Sequence, residues 1–290
     1  MRSFQISLFT IILANTFYLQ AQTAEILSSQ NMPLEVNETS GLALFDDLFL
    51  THNDSGGSPK IYRFTAEGKL VDTITISDQK NTDWEDLAQD DTYLYIANTG
   101  NNLGKRKKLR ILKVDRSFQA PVQAEVIRIA YANQKDFLPR KKHPFDSEAL
   151  AAMGDQLLLF SKDRLNLRTH IYQVPKQAGD YQLTSDLSFE VQSLITGADY
   201  DAASQTLALT AYTFEGMQYL YVAHEVDPQN LRALRFQEYI IPLNPAQIEA
   251  VKVIDANHFW VTTEAEGKGF PKLMKLSVEG SIALRTIEAN

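Results

Sequence analysis

The chain of 290 residues contains no cysteine, only two tryptophans and, after residue 21, no hydrophobic run of membrane-spanning length. Without cysteine there is neither a disulfide framework nor a cysteine-linked lipid, so stability has to come from a hydrophobic core. The lack of a later apolar run of about 20 residues argues against a membrane-spanning helix. The formal charge of −8 argues against general nucleic-acid binding.

Residues 1–21 have the composition of a signal peptide. One positive charge at Arg2 precedes an apolar stretch from Phe4 to Phe17, and Ala21 supplies a small residue at the expected cleavage point. The sequence therefore predicts an exported protein, periplasmic or secreted, with a single mature domain over residues 22–290. We expect a monomer that does not insert into a membrane.

The rest of the chain is a succession of short strand signals, and no long stretch has helical periodicity. Runs such as KIYRF, VDTITI, YLYIA, LRILKV and HFWVTT are rich in Val, Ile, Leu, Tyr and Thr. They are separated by Gly, Asp, Asn and Pro, which is typical of strands joined by turns. The sequence thus predicts an all-β fold.

One pattern recurs five times along the chain: polar residues, a small-plus-apolar step, a turn and a strongly apolar strand. Aligning the five copies defines one equivalent site in each, the ring position, occupied by Ser40, Glu85, Glu148, Thr196 and Glu249. Spacings of 45, 63, 48 and 53 residues suit four-stranded propeller blades. We predict a five-bladed β-propeller of four-stranded antiparallel blades; six blades or a two-sheet sandwich are the alternatives.

The two ends of the chain predict how the ring closes. After Glu249 enough sequence remains for only three strands, so AEILSSQ, near the start of the mature chain, is expected to complete the last blade and hide its edge. The longest repeat contains two insertions, NLGKRKK and ANQKDFLPRKKHP, which we interpret as loops.

The ordered motifs DWEDLA, GNN, FDSEAL, TGADYD and IEAV followed by TTEAEG resemble those of the SdiA-regulated family of bacterial β-propellers, which is related to NHL-repeat propellers. The resemblance covers nearly all of the mature chain. It implies five blades, bound calcium and a role as an interaction platform. Two positions depart from the family pattern: Asn98 stands where an acidic residue is common, and Ser40 replaces a ring glutamate.

A propeller brings the starts of its innermost strands and the loops between second and third strands to one face. Glu85, Glu148 and Glu249 start innermost strands, and Asp83 and Asp146 lie two residues earlier on the same side of a strand. The other residues predicted to contact a ligand on this face are Glu38, Asn53, Asp54, Asn102, Lys162, Asp163, Arg164, Tyr212 and Glu264.

Carboxylates that converge on a narrow channel repel one another, so without a cation some of them have to hold protons at neutral pH. Oxygen ligands suit calcium, or magnesium if waters remain, and the five scattered histidines show no zinc spacing. We predict calcium bound by Glu85, Glu148 and Glu249, with Asn98 or Asn101 as neutral donors. The alternative is that these side chains cap turns and bond backbone amides without any metal.

Two basic segments, GKRKKLR at residues 104–110 and PRKKHP at residues 139–144, are expected on the same face. Positive loops above a cation favour an anionic ligand such as a phosphate or an acidic sugar. Otherwise they are solvated loops that offset an acidic body.

Two functions fit these features. The first is a binding module that holds calcium and presents one face to a small anionic ligand or a partner protein. The second is a metal-dependent hydrolase of phosphoesters, esters or lactones, with Glu148 or Asp146 as the general base.

The segment DSGG around Ser55 does not indicate a serine protease. Only residues 22–54 precede it in the mature chain, and their single histidine, His52, is three residues away. A chymotrypsin-like arrangement requires a preceding barrel that carries the histidine and aspartate. We therefore interpret Ser55 as a residue of the loop between the second and third strands of the first blade.

Overall fold

The computed structural model describes residues 23–243, 246–265, 267 and 269–290. The predicted signal peptide, residues 1–21, lies outside the described residues. Within the described part, the chain forms 22 strands and two short 3-10 helices, Leu34–Val36 and Leu231–Ala233. No helix there is long and apolar enough to cross a membrane.

The strands follow one another in a regular order along the chain. They are β1 (Glu25–Asn31), β2 (Thr39–Phe45), β3 (Leu48–Asn53), β4 (Lys60–Phe64), β5 (Leu70–Thr75), β6 (Asp86–Gln89), β7 (Tyr93–Asn98), β8 (Leu109–Asp115), β9 (Ala124–Tyr131), β10 (Ser147–Met153), β11 (Gln156–Ser161), β12 (Thr169–Pro175), β13 (Gly179–Leu183), β14 (Ser188–Phe189), β15 (Leu194–Asp201), β16 (Thr206–Tyr212), β17 (Gln218–Ala223), β18 (Arg235–Ile241), β19 (Ile248–Val253), β20 (His258–Thr263), β21 (Lys272–Ser277) and β22 (Thr286–Glu288).

These strands form the five blades of a β-propeller, which confirms the predicted fold. From the inside outwards, blades 1 to 5 are β2-β3-β4-β5, β6-β7-β8-β9-β13, β10-β11-β12-β14, β15-β16-β17-β18-β22 and β19-β20-β21-β1. The innermost strands β2, β6, β10, β15 and β19 contact one another in this order, and β19 contacts β2. The ring is therefore closed.

The pairing of the edge strands confirms the predicted closure of the ring. It also shows two edge strands that were not predicted. β1 pairs antiparallel with β21, so the N-terminal strand completes the last blade as predicted. Blades 2 and 4 exceed the predicted four strands, because β13 runs parallel to β9 and β22 pairs with β18. Both added strands cover an outer edge that would otherwise expose unpaired backbone groups.

Five apolar clusters, one at each interface between neighbouring blades, form the core of the described residues. Trp84 is completely buried in the cluster between blades 1 and 2, together with Leu87. Trp84 therefore packs between blades, as its hydrophobic character predicts.

The residue directly after the ring position is small in every blade except blade 2, because the innermost strands lie close together around the axis. A Cβ atom on Gly41 would lie 2.6 Å from the backbone nitrogen of Leu87, and one on Gly197 would lie 2.8 Å from the backbone carbonyl oxygen of Glu249. Real Cβ atoms do not approach backbone so closely, so these two positions admit no side chain without a backbone shift. Only in blade 2 is the corresponding residue large, and it is Asp86.

The buried carboxylate of Asp86 links three blades at the axis. One oxygen accepts a hydrogen bond from the Leu87 amide at 2.8 Å, and the other accepts from the amides of Leu150 at 2.8 Å and Ala198 at 3.0 Å. Amides on the inner edge of a blade have no ladder partner of their own and need another acceptor. Asp199 plays the same part between blades 4 and 5 by accepting from the Val253 amide at 2.9 Å.

We predict that Asp86→Ala strongly destabilises the ring. Three buried amides on three blades would lose their acceptor, at a cost of about 3 kcal/mol or more in the free energy of unfolding. Urea denaturation measures this loss, and Asp91→Ala, which removes an exposed acid from the same blade, is the control. Equal midpoints for the two variants would contradict the proposed role of Asp86.

Candidate cation site at the channel mouth

A β-bulge at the ring position directs polar side chains toward the channel. In blade 3, Ser147 pairs with Ser161 and Ala149 pairs with Phe160, so Glu148 is left out of the ladder. The ladders of blades 4 and 5 are irregular in the same way at Thr196 and Glu249. Because a bulge re-aims one side chain, the repeat produces a recurrent inward-pointing position.

Acidic side chains from four blades gather at this end of the channel and act on one another electrostatically. Glu85, Glu148 and Glu249 are only 5%, 5% and 8% exposed. The mutually interacting carboxyl groups are those of Glu38, Asp54, Asp83, Glu85, Asp146, Glu148, Glu249 and Glu264. We call these eight residues the acid cluster. The ring thus brings together residues that are far apart in sequence.

Glu148 is the member of the acid cluster that the protein itself neutralises. Buried Lys162 forms an ion pair with it, and Arg164 Nη2 lies 3.0 Å from Glu148 Oε1. Burial alone would lower the pKa of Lys162, but the Glu148 carboxylate and the nearby Tyr212 raise it, and the net shift is upward. Lys162 is therefore positively charged at neutral pH, with its amine 4.8 Å from the centre of the Tyr212 ring.

Asp146 is also engaged by groups of the chain. Its Oδ1 accepts a hydrogen bond from the Asn101 amide at 2.6 Å, and its Oδ2 lies 3.1 Å from Arg164 Nε. Arg164 also donates to Asn102 Oδ1 at 2.6 Å. The two acids predicted as general bases, Glu148 and Asp146, are thus both bonded to cations in this structure.

Arg106 enters the site, although nothing in the sequence sets it apart from the other basic residues of segment 104–110. Its Nη2 donates to Asn98 Oδ1 at 2.7 Å, and its Nη1 lies 3.5 Å from Asp83 Oδ2. It also donates to the Gly100 carbonyl. A Cβ atom on Gly100 would lie 1.7 Å from Glu85 Oε1, so a side chain at residue 100 would displace the Glu85 carboxylate from its present position.

The side-chain oxygens of the two asparagines predicted as neutral cation ligands accept hydrogen bonds from Arg106. Asn98 Oδ1 accepts from its guanidinium, and Asn101 Oδ1 accepts from its backbone amide at 2.8 Å. Asn101 Nδ2 also donates to the Phe145 carbonyl at 2.8 Å. Both residues hold the loop that carries Arg106, and cation binding by them stays a prediction.

Three further residues of the predicted set support the loops of this face. Asn53 Nδ2 donates to the Glu35 carbonyl at 2.8 Å, and Asp163 Oδ1 accepts from the Leu165 amide at 2.8 Å. Glu264 accepts from Gln247 Nε2 at 2.8 Å.

Asp54, Asp83 and Glu85 form the tightest group of carboxylates. One oxygen from each residue lies within 4.8 Å of the other two. Asp54 follows β3 and precedes Ser55, which is an exposed loop residue as predicted. Asn81, which the sequence analysis did not single out, donates to the carbonyl oxygens of Asn53 at 2.8 Å and of Asp54, and so holds this loop against blade 2.

The electrostatics of this group favour a bound positive charge. Asp54 Oδ1 is buried and has no hydrogen-bond partner among the described residues. Burial, together with the charges of Asp83 and Glu148, raises the pKa of Asp54 to about 8. Burial also raises the pKa values of Glu85 and Glu249 well above their usual range. The acid cluster therefore holds protons at neutral pH unless a cation replaces them.

The donor set fits a hard divalent cation. Carboxylate oxygens are the preferred ligands of calcium and magnesium, and Asp54 Oδ1 has no hydrogen-bond partner among the described residues. Asp54, Asp83 and Glu85 are the residues that would hold the ion.

No family model and no curated protein matches the chain, so membership in the SdiA-regulated family stays a prediction. Several solved structures are similar to it. The PQQ-bound aldose sugar dehydrogenase of Streptomyces coelicolor is 11% identical over 88% of this chain and 98% of that one, with a TM-score of 0.49. The calcium-binding protein regucalcin of Agrobacterium tumefaciens is 12% identical over 89% and 95%, with a TM-score of 0.40. The WD40 domain of Neurospora crassa Pan2 is 9% identical over 91% and 98%, with a TM-score of 0.42.

We predict that, with a chelator present, stability falls as the pH rises from about 6.5 to about 8. The folded cluster keeps protons that the unfolded chain has already released, because carboxyl pKa values in an unfolded chain are near 4. The buried His52, whose pKa burial lowers to about 4, has the opposite effect, but only below about pH 6.5. Thermal unfolding over this range measures the slope.

Asp54→Asn should remove much of this slope and stabilise the chelated protein at pH 8 by roughly 1–2 kcal/mol. Asp91→Asn, which replaces an exposed acid, should leave the slope unchanged. Stability that is constant or rises over the same pH range in the unmodified protein would show that the cluster is not protonated.

Proposed function

We propose that this protein is a β-propeller binding module that holds a divalent cation, with calcium as the expected ion, at the mouth of its channel. The observation that carries the proposal is the buried, unpartnered oxygen of Asp54 beside the carboxylates of Asp83 and Glu85. In a hydrogen-bonded structural cluster the large majority of buried oxygens have a donor. A divalent cation supplies the missing partner and removes the repulsion that raises the pKa values.

The proposed ligand set differs from the triad of Glu85, Glu148 and Glu249 that the sequence predicts. Glu148 is already paired with Lys162 and Arg164, so its charge is neutralised inside the protein. Among the described residues, no lysine or arginine forms an ion pair with Asp54 or Glu85, and Asp83 has only the 3.5 Å contact with Arg106. We therefore assign ion binding to these three residues and a supporting negative field to Glu249 and Glu264.

The same arrangement supports the binding of an oxygen-rich, anionic ligand. Calcium takes six to eight oxygen ligands, so three carboxylates leave coordination positions for waters or for a ligand. Arg106, Lys162 and Arg164 stand at the same mouth and would favour negative charge on that ligand. Export through the predicted signal peptide is part of this proposal and rests on residues 1–21 alone.

Calcium should raise the melting temperature of the chelated protein. At a calcium concentration 100-fold above Kd, the gain is about 2.7 kcal/mol, or about 5–10 °C for a domain of this size. Asp83→Asn and Glu85→Gln should each abolish most of this shift, whereas Glu215→Gln, which removes an exposed acid from a loop of the same face, should preserve it. Differential scanning calorimetry with calcium or magnesium checks the result.

Absence of a shift with either ion would contradict the proposal. An equal loss of the shift in the Glu215→Gln control would assign the effect to general electrostatics rather than to a site.

Hydrolytic activity is tested separately with the same purified proteins. The protein can be assayed with p-nitrophenyl phosphate, an acetate ester and a lactone, with calcium and with chelator. Turnover that disappears both with the chelator and in Glu148→Gln would replace the binding module by a metal-dependent hydrolase. A calcium-dependent thermal shift without turnover supports the binding module.

A further inference from the structure

A second charged site lies on the outer strands of blade 2. Its walls come from β8, β9 and β13 and from the end of the loop before β8, and they include no member of the acid cluster. The groove has a volume of about 690 Å³. Its charged and aromatic lining residues are Lys107, Lys108, Arg110, Arg128, Asp180 and Tyr181. Four cations thus face one carboxylate in a protein whose net charge is −8.

Strand register places two arginines directly opposite each other in this groove. Arg110 of β8 pairs with Arg128 of β9, and Arg128 pairs with Asp180 of β13. Like charges in directly opposed positions destabilise a sheet. Asp180 offsets little of the repulsion between the two arginines, because its Oδ2 is 3.9 Å from Arg128 Nη1 and both side chains are more than half exposed.

Arg110 has unused hydrogen-bonding capacity. Its Nε atom is buried and has no partner among the described residues. Its positive charge also helps to lower the pKa of Arg106, for which burial is the main cause. A buried cationic N–H group without an acceptor costs free energy. The needs of the fold therefore do not account for the Arg110 and Arg128 pair.

We propose that this groove binds a small molecule that carries a phosphate or sulfate group, with Arg110 and Arg128 as its principal ligands. Two guanidinium forks provide parallel N–H donors that match the oxygens of a tetrahedral oxyanion, and Lys107 and Lys108 add positive charge. The groove is much larger than an oxyanion and lies in the size range of small-molecule sites. The body of the ligand would therefore occupy the rest of the groove, along β9 and β13.

The basic segment 104–110 thus serves two sites. Arg106 turns toward Asp83 and Asn98 at the channel mouth, whereas Lys107, Lys108 and Arg110 line the groove of blade 2. The two sites share no residue, so the groove does not depend on the proposed cation site.

Isothermal titration calorimetry with four probes tests this site: inorganic phosphate, inorganic sulfate, glucose 6-phosphate and glucose 6-sulfate. Glucose is the neutral control. We expect the sugar esters to bind more tightly than the free ions, since only they fill the groove. Tighter binding of one ester than of the other identifies phosphate or sulfate as the preferred group. If none of the four probes binds, the proposal is wrong.

Arg110→Gln and Arg128→Gln should each weaken binding of the better ester by about tenfold or more. Arg110→Lys keeps the charge but loses the fork, so it should weaken binding by less than Arg110→Gln does. Arg232→Gln, a matched change at an exposed arginine elsewhere on the surface, should bind as the unmodified protein does. Unchanged affinity in both Arg110 variants, or an equal loss in Arg232→Gln, would overturn the assignment.

Discussion

The closed ring depends on how the backbone amides at its axis are satisfied. Innermost strands have a ladder partner on one side only, and at the axis there is no room for another strand. The Asp86 carboxylate solves this problem for blades 2, 3 and 4 by accepting hydrogen bonds from the amides of Leu87, Leu150 and Ala198. It can do so because the positions beside it are small, above all Gly41, whose backbone packs against Asp86.

Ring closure also creates the candidate site. In blades 3, 4 and 5 a bulge in the inner ladder leaves the ring residue unpaired and directs it toward the channel. Closure of the ring brings Glu148 and Glu249 together with Glu85 of blade 2 at one mouth. Burial there is unfavourable for charged carboxylates, and it is the main reason that the pKa values of Asp54, Glu85 and Glu249 are raised. Among the described residues, eight acids meet three basic side chains there, so the cluster favours bound protons or the proposed cation.

Charge is unevenly distributed within this pocket. On the side of blade 3, Lys162 and Arg164 neutralise Glu148 and Asp146 with buried ion pairs. On the side of blades 1 and 2, Arg106 reaches only the edge of the group formed by Asp54, Asp83 and Glu85. The proposed cation therefore belongs on the side of blades 1 and 2, where the carboxylates lack such ion pairs.

The sequence by itself determined the all-β class, the five repeats, the equivalence of the ring positions and the closing strand. These features depend on local alternation of apolar residues and on turn signals that recur at a regular spacing. Only the tertiary structure decided which carboxylates have cation partners, that Arg106 alone of its basic segment enters the mouth, and that β13 crosses to blade 2 and lines a groove beside Arg110 and Arg128. The reason is physical: these outcomes depend on distances and side-chain directions across different blades, and one strand's sequence pattern carries no information about the neighbour that it will face.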